Sequence, residues 1–244
     1  MANNQHPTYQ DEGYQYHVMY LPRGIERLQK LGSSRIYPKN TELASAGEIP
    51  KFCYVVKAGS LIAYEYTITG DQRIYNIMEP GSIFLEECLL FDKPCPVNFR
   101  TLTKCEVIQI EKCDLKRAFK HDIDVVMDIC ESLATKFLST MEYQRFTPKQ
   151  GSEWKICKML IIFADHYGVP QKDGRLLLDR KISHQMLADI LGMNRVTVSR
   201  KMKDLKEAGF FDVVNGYLCF PDLKTLEVHM QELTDEEKDA FSAS

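Results

Sequence analysis

Residues 182–208 read Ile-Ser-His-Gln-Met-Leu-Ala-Asp-Ile-Leu-Gly-Met-Asn-Arg-Val-Thr-Val-Ser-Arg-Lys-Met-Lys-Asp-Leu-Lys-Glu-Ala, and they decide the fold of the C-terminal half. Ser183 is a residue type that caps a helix by accepting a backbone N–H. Gly192 takes the positive φ that ends that helix, and Asn194 caps the next one. Ala188 is small where a second helix must cross closely. Val198, Met202 and Leu205 give that second helix one apolar stripe. Two helices joined by so short a turn form a helix-turn-helix.

The face opposite the stripe carries Arg195, Val196, Ser199 and Arg200 on the first turns, where such a helix meets base edges in a major groove. Arg200 offers guanine O6 and N7 a bidentate grip, worth about 1–3 kcal/mol of discrimination. Val196 offers apolar contact only, for example with a thymine methyl. Ser183, Thr197, Lys201 and Lys203 are expected on phosphates, which set register rather than sequence. Between Lys181 and Lys206 six basic residues stand against two acidic ones, in a chain of formal net charge −3. A charged helix face is usually only solvated. Here it coincides with two caps, a turn glycine and a following hairpin, 210–214 and 217–220, around Asn215-Gly216, a pair suited to a type I′ turn. Nucleic-acid binding is therefore the expectation.

Toward the N-terminus, 153–167 reads as a helix followed by a turn-rich connection, 168–174. Thr147 to Ser152 reads as a hinge. A long helix is expected over 122–146, with an apolar stripe of Val126, Ile129, Leu133, Phe137 and Met141. Such a stripe packs either on its own domain or on the same helix of a second chain. From Arg35 to Glu111 the pattern is short β-prone runs (52–56, 60–67, 73–78, 98–103, 106–110) separated by Gly and Pro turns. That spacing indicates an antiparallel barrel or sandwich rather than βαβ units. Short helices are expected at 22–31 and 112–120. The organisation is α+β, with an N-terminal arm (1–20), a β-barrel (21–121), the long helix (122–146) and a winged helix (147–244).

The chain has 244 residues, 44% hydrophobic and 27% charged, which excludes collagen-like, disordered and disulfide-scaffold classes. Its longest apolar run, Met159 to Ala164, falls far short of the roughly 20 residues that cross a bilayer. With no signal-like N-terminus, the expectation is a cytoplasmic protein without a membrane partner. Eight cysteines, at 53, 88, 95, 105, 113, 130, 157 and 219, include no Cys-x-x-Cys pair and are expected as free thiols. No histidine lies between His17 and His121, so a barrel metal enzyme lacks its ligands. No catalytic residue, metal or cofactor is expected.

On these residues the chain resembles the CRP/FNR family of bacterial transcription regulators, over roughly 25–228. The most specific part is Leu187-Ala188-Asp189-Ile190-Leu191-Gly192 through Val196-Thr197-Val198-Ser199-Arg200, and Gly47-Glu48, Tyr54-Val55-Val56 and Gly59 fit too. The resemblance implies a double-stranded β-helix of the cyclic-nucleotide-binding type as effector sensor, a dimerisation helix and a C-terminal winged helix. It implies a homodimer on palindromic double-stranded DNA, with RNA polymerase as a partner, and it favours the intermolecular role for the 122–146 helix.

Departures from the family pattern bear on the effector. Cyclic-nucleotide-binding members hold the cyclic phosphate with a glycine and neighbouring amides, an Arg and a Ser, and the ribose with a Glu. Here Leu85 stands for the glycine and Glu86 for the Glu. Pro94-Cys95-Pro96-Val97 occupies the Arg-Ser region. A buried phosphate without its cation is costly, so a different effector is expected, in a pocket including Leu85, Glu86, Cys95 and Phe99. No cysteine precedes Cys53, which argues against the family's N-terminal iron–sulfur cluster. The missing barrel histidine argues against haem. Three modes of action remain: a small organic effector, thiol redox at Cys88 and Cys95, or constitutive DNA binding with the barrel as a platform. The Val196–Arg200 core is similar to that of activators responding to halogenated phenols, which read A·T-rich inverted repeats.

Overall fold

A run that is apolar at every position, such as Cys53-Tyr54-Val55-Val56, makes a strand buried on both faces. The structure, a computed structural model, describes residues 18–19, 25–146 and 150–242, with side chains described over 26–141 and 150–234. Its first half comprises β1 (Val18–Met19), α1 (Ile25–Gln29), β2 (Ser33–Tyr37), β3 (Glu42–Ala44), β4 (Phe52–Ala58), β5 (Leu61–Tyr66), β6 (Gln72–Met78), β7 (Ile83–Phe84), α2 (Glu86–Phe91), β8 (Asn98–Thr101) and β9 (Cys105–Glu111). These strands form two sheets, ordered β1-β6-β5-β8-β3 and β2-β9-β4-β7. All pairings are antiparallel except that of β1 with β6. Leu61, Ala63, Met78 and Phe99 from one sheet meet Tyr54, Val56, Phe84, Cys105 and Val107 from the other in one core. At the β4–β5 turn Gly59 has φ +80°, and a Cβ there would lie 2.2 Å from the Lys104 carbonyl oxygen, so the turn requires glycine.

Helix α3 (Lys112–His121) leads into α4 (Ile123–Phe146), 24 residues long. Val125, Ile129 and the partly buried Leu133 pack on Leu28, Val55, Ile83, Ile110 and Leu115 of the barrel side. Arg27 of α1 fastens this contact by donating to both carboxylate oxygens of Asp128, at 3.1 and 3.0 Å.

The second half contains α5 (Ser152–Tyr167), β10 (Gly168–Pro170), β11 (Leu176–Leu178), α6 (His184–Leu191), α7 (Arg195–Glu207), β12 (Asp212–Val214), β13 (Tyr217–Phe220) and α8 (Leu223–Ser242). The four strands order as β10-β11-β13-β12. Asn215 and Gly216 both have positive φ, 53° and 83°, as a type I′ turn needs. The connection expected at 168–174 begins with β10, and α8 extends the chain with a helix that the motifs did not signal. Its Thr234 accepts the Trp154 indole N–H at 2.9 Å, and its Leu226 is buried.

Period-two alternation lets β5 serve both halves. Leu61 and Ala63 face the barrel interior, while Ile62 and Tyr64 join Ile74 and Ile77 of β6 in a core shared with α5, α6 and α7. Polar anchors frame that contact. Glu79 accepts from the Tyr167 hydroxyl at 2.8 Å and from Arg180 at 2.5 Å, and the Arg180 guanidinium lies 4.3 Å from the Tyr167 ring centroid. Gln72 of β6 and Gln185 of α6 both donate to Asp189, at 3.2 and 2.7 Å. The α+β organisation expected from the sequence is thus present. The N-terminal arm falls outside the described residues except for 18–19, as do residues 147–149 of the expected hinge.

Candidate nucleic-acid interface and sensor barrel

The helix-turn-helix is assembled by local chemistry. The Ser183 hydroxyl accepts the Met186 N–H at 3.0 Å, and Gly192 ends α6 at φ 61°. The Asn194 side chain accepts the Val196 N–H at 2.8 Å. Leu187, Ala188, Ile190 and Leu191 of α6 are buried, as are Val198, Met202 and Leu205 of α7. Burying that stripe leaves Arg195, Val196, Arg200 and Lys203 exposed on the other side, Val196 at 76%. Lys181, just before α6, reaches the β12–β13 hairpin, its Nζ 5.1 Å from the Tyr217 ring centroid.

Four expected DNA residues already have partners within the protein. Lys201 is half-buried and its Nζ lies 2.6 Å from Glu153 of α5. That contact holds the Glu153 carboxyl below its usual range, with His229 at 2.9 Å helping. Lys201 therefore fastens α7 to its own domain, and this geometry does not present it to a phosphate as expected. Ser199 is half-buried and shares a hydrogen bond of 2.9 Å with His184 Nδ1. Ser183 is spent in part on its cap but stays exposed, as does Lys203 despite a 3.5 Å pairing with Glu207. Thr197 is half-buried.

Of the four expected effector-pocket residues, three lie together and Glu86 turns away from them. Leu85, Cys95 and Phe99 belong to the packed barrel core, where Phe84 stacks between Tyr54 and Phe99 with centroids 5.0 Å apart on each side. Leu85 is 1% exposed and held at φ 66°, a left-handed conformation that disfavours non-glycine residues. Glu86 is fully buried and turns to α4 instead, accepting from Ser132 at 2.8 Å and Lys136 at 2.5 Å. Burial pushes its carboxyl up, against the pull of Lys136. Its second oxygen has no partner among the described residues.

The stripe expected on α4 divides between two faces. Ile129 and Leu133 pack on the barrel and Val126 is half-buried, while Phe137 and Met141 are exposed at 63% and 51%. The exposed apolar line is instead Ile123, Met127, Cys130, Ala134, Phe137 and Met141. Its steps of four and three are heptad spacing. The cysteines are free. Burial pushes the Cys88 thiol up to about 12, with Glu87 adding to the shift, and raises Cys53, Cys95, Cys105 and Cys157 as well. A thiol so shifted is a poor nucleophile at neutral pH. No helix among the described residues is long and apolar enough to cross a membrane.

Comparison with known proteins agrees with this geometry. Residues 34–122 match the cyclic nucleotide-binding domain family, and residues 155–228 match the Crp-like helix-turn-helix domain family. A global nitrogen regulator of Nostoc sp. is 22% identical over 173 residues, covering 70% of this chain and 77% of that protein. A CRP-like cAMP-activated global transcriptional regulator of Mycobacterium tuberculosis is 20% identical over 208 residues, covering 84% and 91%. Among solved structures, FixK2 from Bradyrhizobium japonicum superimposes with a TM-score of 0.70 at 17% identity, over 80% of this chain and 96% of that one. CprK complexed with OCPA gives 0.67 at 16%, over 85% and 96%. With its sensor-type barrel and its Crp-like helix-turn-helix both matched in order along the chain, the protein belongs to the CRP/FNR family of DNA-binding transcription regulators.

Proposed function

We propose that this regulator works as a parallel homodimer that reads a palindromic, A·T-rich operator under the control of a small organic effector other than a cyclic nucleotide. The observation that carries the homodimer is the exposed heptad line on α4, from Ile123 to Met141. An apolar seam of that length on a barrel-anchored helix is unstable in water and finds its match in a second copy across a two-fold axis. A parallel pair carries both α7 helices at one end, where they fit successive major grooves about 34 Å apart. Arg195, Val196 and Arg200 then meet base edges, while Ser183, Thr197 and Lys203 meet phosphates. The protein acts in the cytoplasm, with RNA polymerase as its further partner.

The effector class follows from the barrel. By the family resemblance Leu85 stands for the phosphate-cradling glycine, and the aromatic stack of Tyr54, Phe84 and Phe99 makes the interior apolar. Arg100, an arginine of the barrel strands, is engaged elsewhere, donating to Gln72 at 2.7 Å and lying 4.6 Å from the Tyr64 centroid. An uncharged or aromatic molecule suits such an interior better than a phosphate. The buried Glu86–Lys136 pair joins α2 to α4 and so links the barrel to the seam. An effector acts there only through its different affinity for two arrangements of the helices. Thiol redox gating loses support from the raised Cys88 and Cys95 thiols.

Cys130 supplies the test, because it is exposed within the seam. A short bis-maleimide is expected to link two chains covalently through Cys130. The product disappears in Cys130→Ser and persists in Cys113→Ser, which removes the other exposed thiol. Cross-linking that is absent, or that depends on Cys113, contradicts the seam.

A further inference from the structure

We infer that Glu153 holds Lys201 back from DNA phosphates and so limits the protein's sequence-independent affinity, Lys201 being a backbone contact kept in reserve on the flank of α7. The inference rests on α7 being the groove-facing helix. Val198, Met202 and Leu205 form the buried stripe of α7. Lys201 lies at the border of that stripe rather than opposite it, one turn beyond Thr197, and its side chain stays 26% exposed. It stands neither on the reading face nor in the core.

Glu153 takes the place that a phosphate would fill. It belongs to the first turn of α5, where the helix dipole favours an anion. A carboxylate only accepts, so both of its contacts have a fixed direction. Lys201 Nζ donates to one oxygen at 2.6 Å, and His229 Nε2 of α8 donates to the other at 2.9 Å. The ring of His229 stacks on Phe210, with centroids 4.6 Å apart, and the neighbouring Trp154 donates its indole N–H to Thr234 at 2.9 Å. Helix α8 thus holds the carboxylate in place from its far side. Because His229 has an oxygen of its own, Glu153 keeps a partner when the lysine leaves. The lysine in turn needs another anion, which a phosphate supplies, and its flexible four-carbon stem permits the exchange. A phosphate contact carries no base information, while each added cation raises sequence-independent binding and its salt dependence together. A carboxylate that occupies Lys201 lowers both and leaves Arg195, Val196 and Arg200 free to read.

Salt titrations of the full-length protein on a duplex of arbitrary sequence test this. Glu153→Gln keeps the shape and loses the charge. It should bind more tightly than the wild type at 50 mM salt, and its log–log salt slope should steepen by about 1.8, for one freed lysine in each protomer of a dimer. That adds roughly a tenfold loss of affinity between 50 and 200 mM. Glu153→Ala, which has no acceptor left, should repeat the result, and thermal melting checks that each variant is folded. Removing a carboxylate near DNA also relieves repulsion, so a double variant, Glu153→Gln with Lys201→Met, keeps that relief and lacks the cation. It should return to the slope of Lys201→Met alone, which equals that of the wild type. A merely structural bridge predicts the reverse, weaker binding with no change of slope. An unchanged slope in Glu153→Gln, or a steeper one that persists in the double variant, overturns the inference while leaving α7 as the groove-facing helix. Wild-type binding that is insensitive to salt removes that reading as well.

Discussion

Phe137→Glu is expected to convert the protein to a folded monomer and to lower operator affinity by three orders of magnitude or more. Phe137 is 63% exposed on α4 and is no part of the barrel core. The substitution therefore leaves the protomer's own packing intact, and its thermal melting should move little. Across a parallel two-fold seam, however, the two introduced carboxylates face each other in an interface that the wild type fills with apolar side chains. Burying like charges unpaired costs several kcal/mol, and each 1.4 kcal/mol is tenfold in the dimer constant. A monomer also keeps only one of its two half-site contacts. Sedimentation shows the change of mass and anisotropy the change of affinity. A variant that remains dimeric and binds as the wild type does would place the interface elsewhere.

The second large effect is on salt. Arg195, Arg200 and Lys203 are exposed on or beside the reading face of each protomer, with Lys181 at the wing. In the proposed dimer these cations, four from each protomer, neutralise on the order of 6–10 phosphates. Affinity should then fall on the order of 10³- to 10⁵-fold between 50 and 200 mM salt. The local placement of charge decides this, since the chain as a whole is at −3. Lys201 behaves differently. Its ammonium pairs with Glu153, so Lys201→Ala should leave the salt slope unchanged while loosening α7 on α5. Titrations at several salt concentrations measure both, and an affinity insensitive to salt would count against the groove-facing surface.

The helix-turn-helix was legible because its determinants are local. Ser183, Gly192 and Asn194 each do in the structure what their residue types favour, and Val198, Met202 and Leu205 form a single stripe. The long strands β4, β5, β6 and β9 were legible for the same reason. Strand β2 was not, because Ser33 to Ile36 are all exposed and show no apolar alternation. Helix α2 follows Leu85, whose left-handed backbone and apolar side chain give no capping signal. Helix α8 did leave a trace, since Leu223, Leu226, Met230 and Leu233 recur at helical spacing beyond the recognised motif.

Two features were beyond local pattern. Helix α4 is apolar on two faces at once, with Val125 and Ile129 toward the barrel and Ile123 and Met127 away from it, so periodicity alone cannot assign a stripe to a partner. Glu86 opens α2 in the barrel domain, yet its carboxylate is held by Ser132 and Lys136 of α4. Its ion pair with Lys136 spans 50 positions, and only the fold brings the two together. Lys201 and Ser199 show the same limit at the DNA face, where neighbours from α5 and α6 have taken up the groups that the helix wheel alone would leave outward.

Selection of duplexes from a random pool, run in parallel with wild type and Arg200→Ala, tests the central claim most directly. The wild type should recover an inverted repeat whose half-site centres lie one helical turn apart, with a guanine strongly preferred at one position in each half. Arg200→Ala should recover the same repeat with preference lost at that position alone, a change of about 1–3 kcal/mol. Recovery of no common sequence, or of an identical motif by both proteins, would contradict the assignment of α7 as the helix that reads DNA.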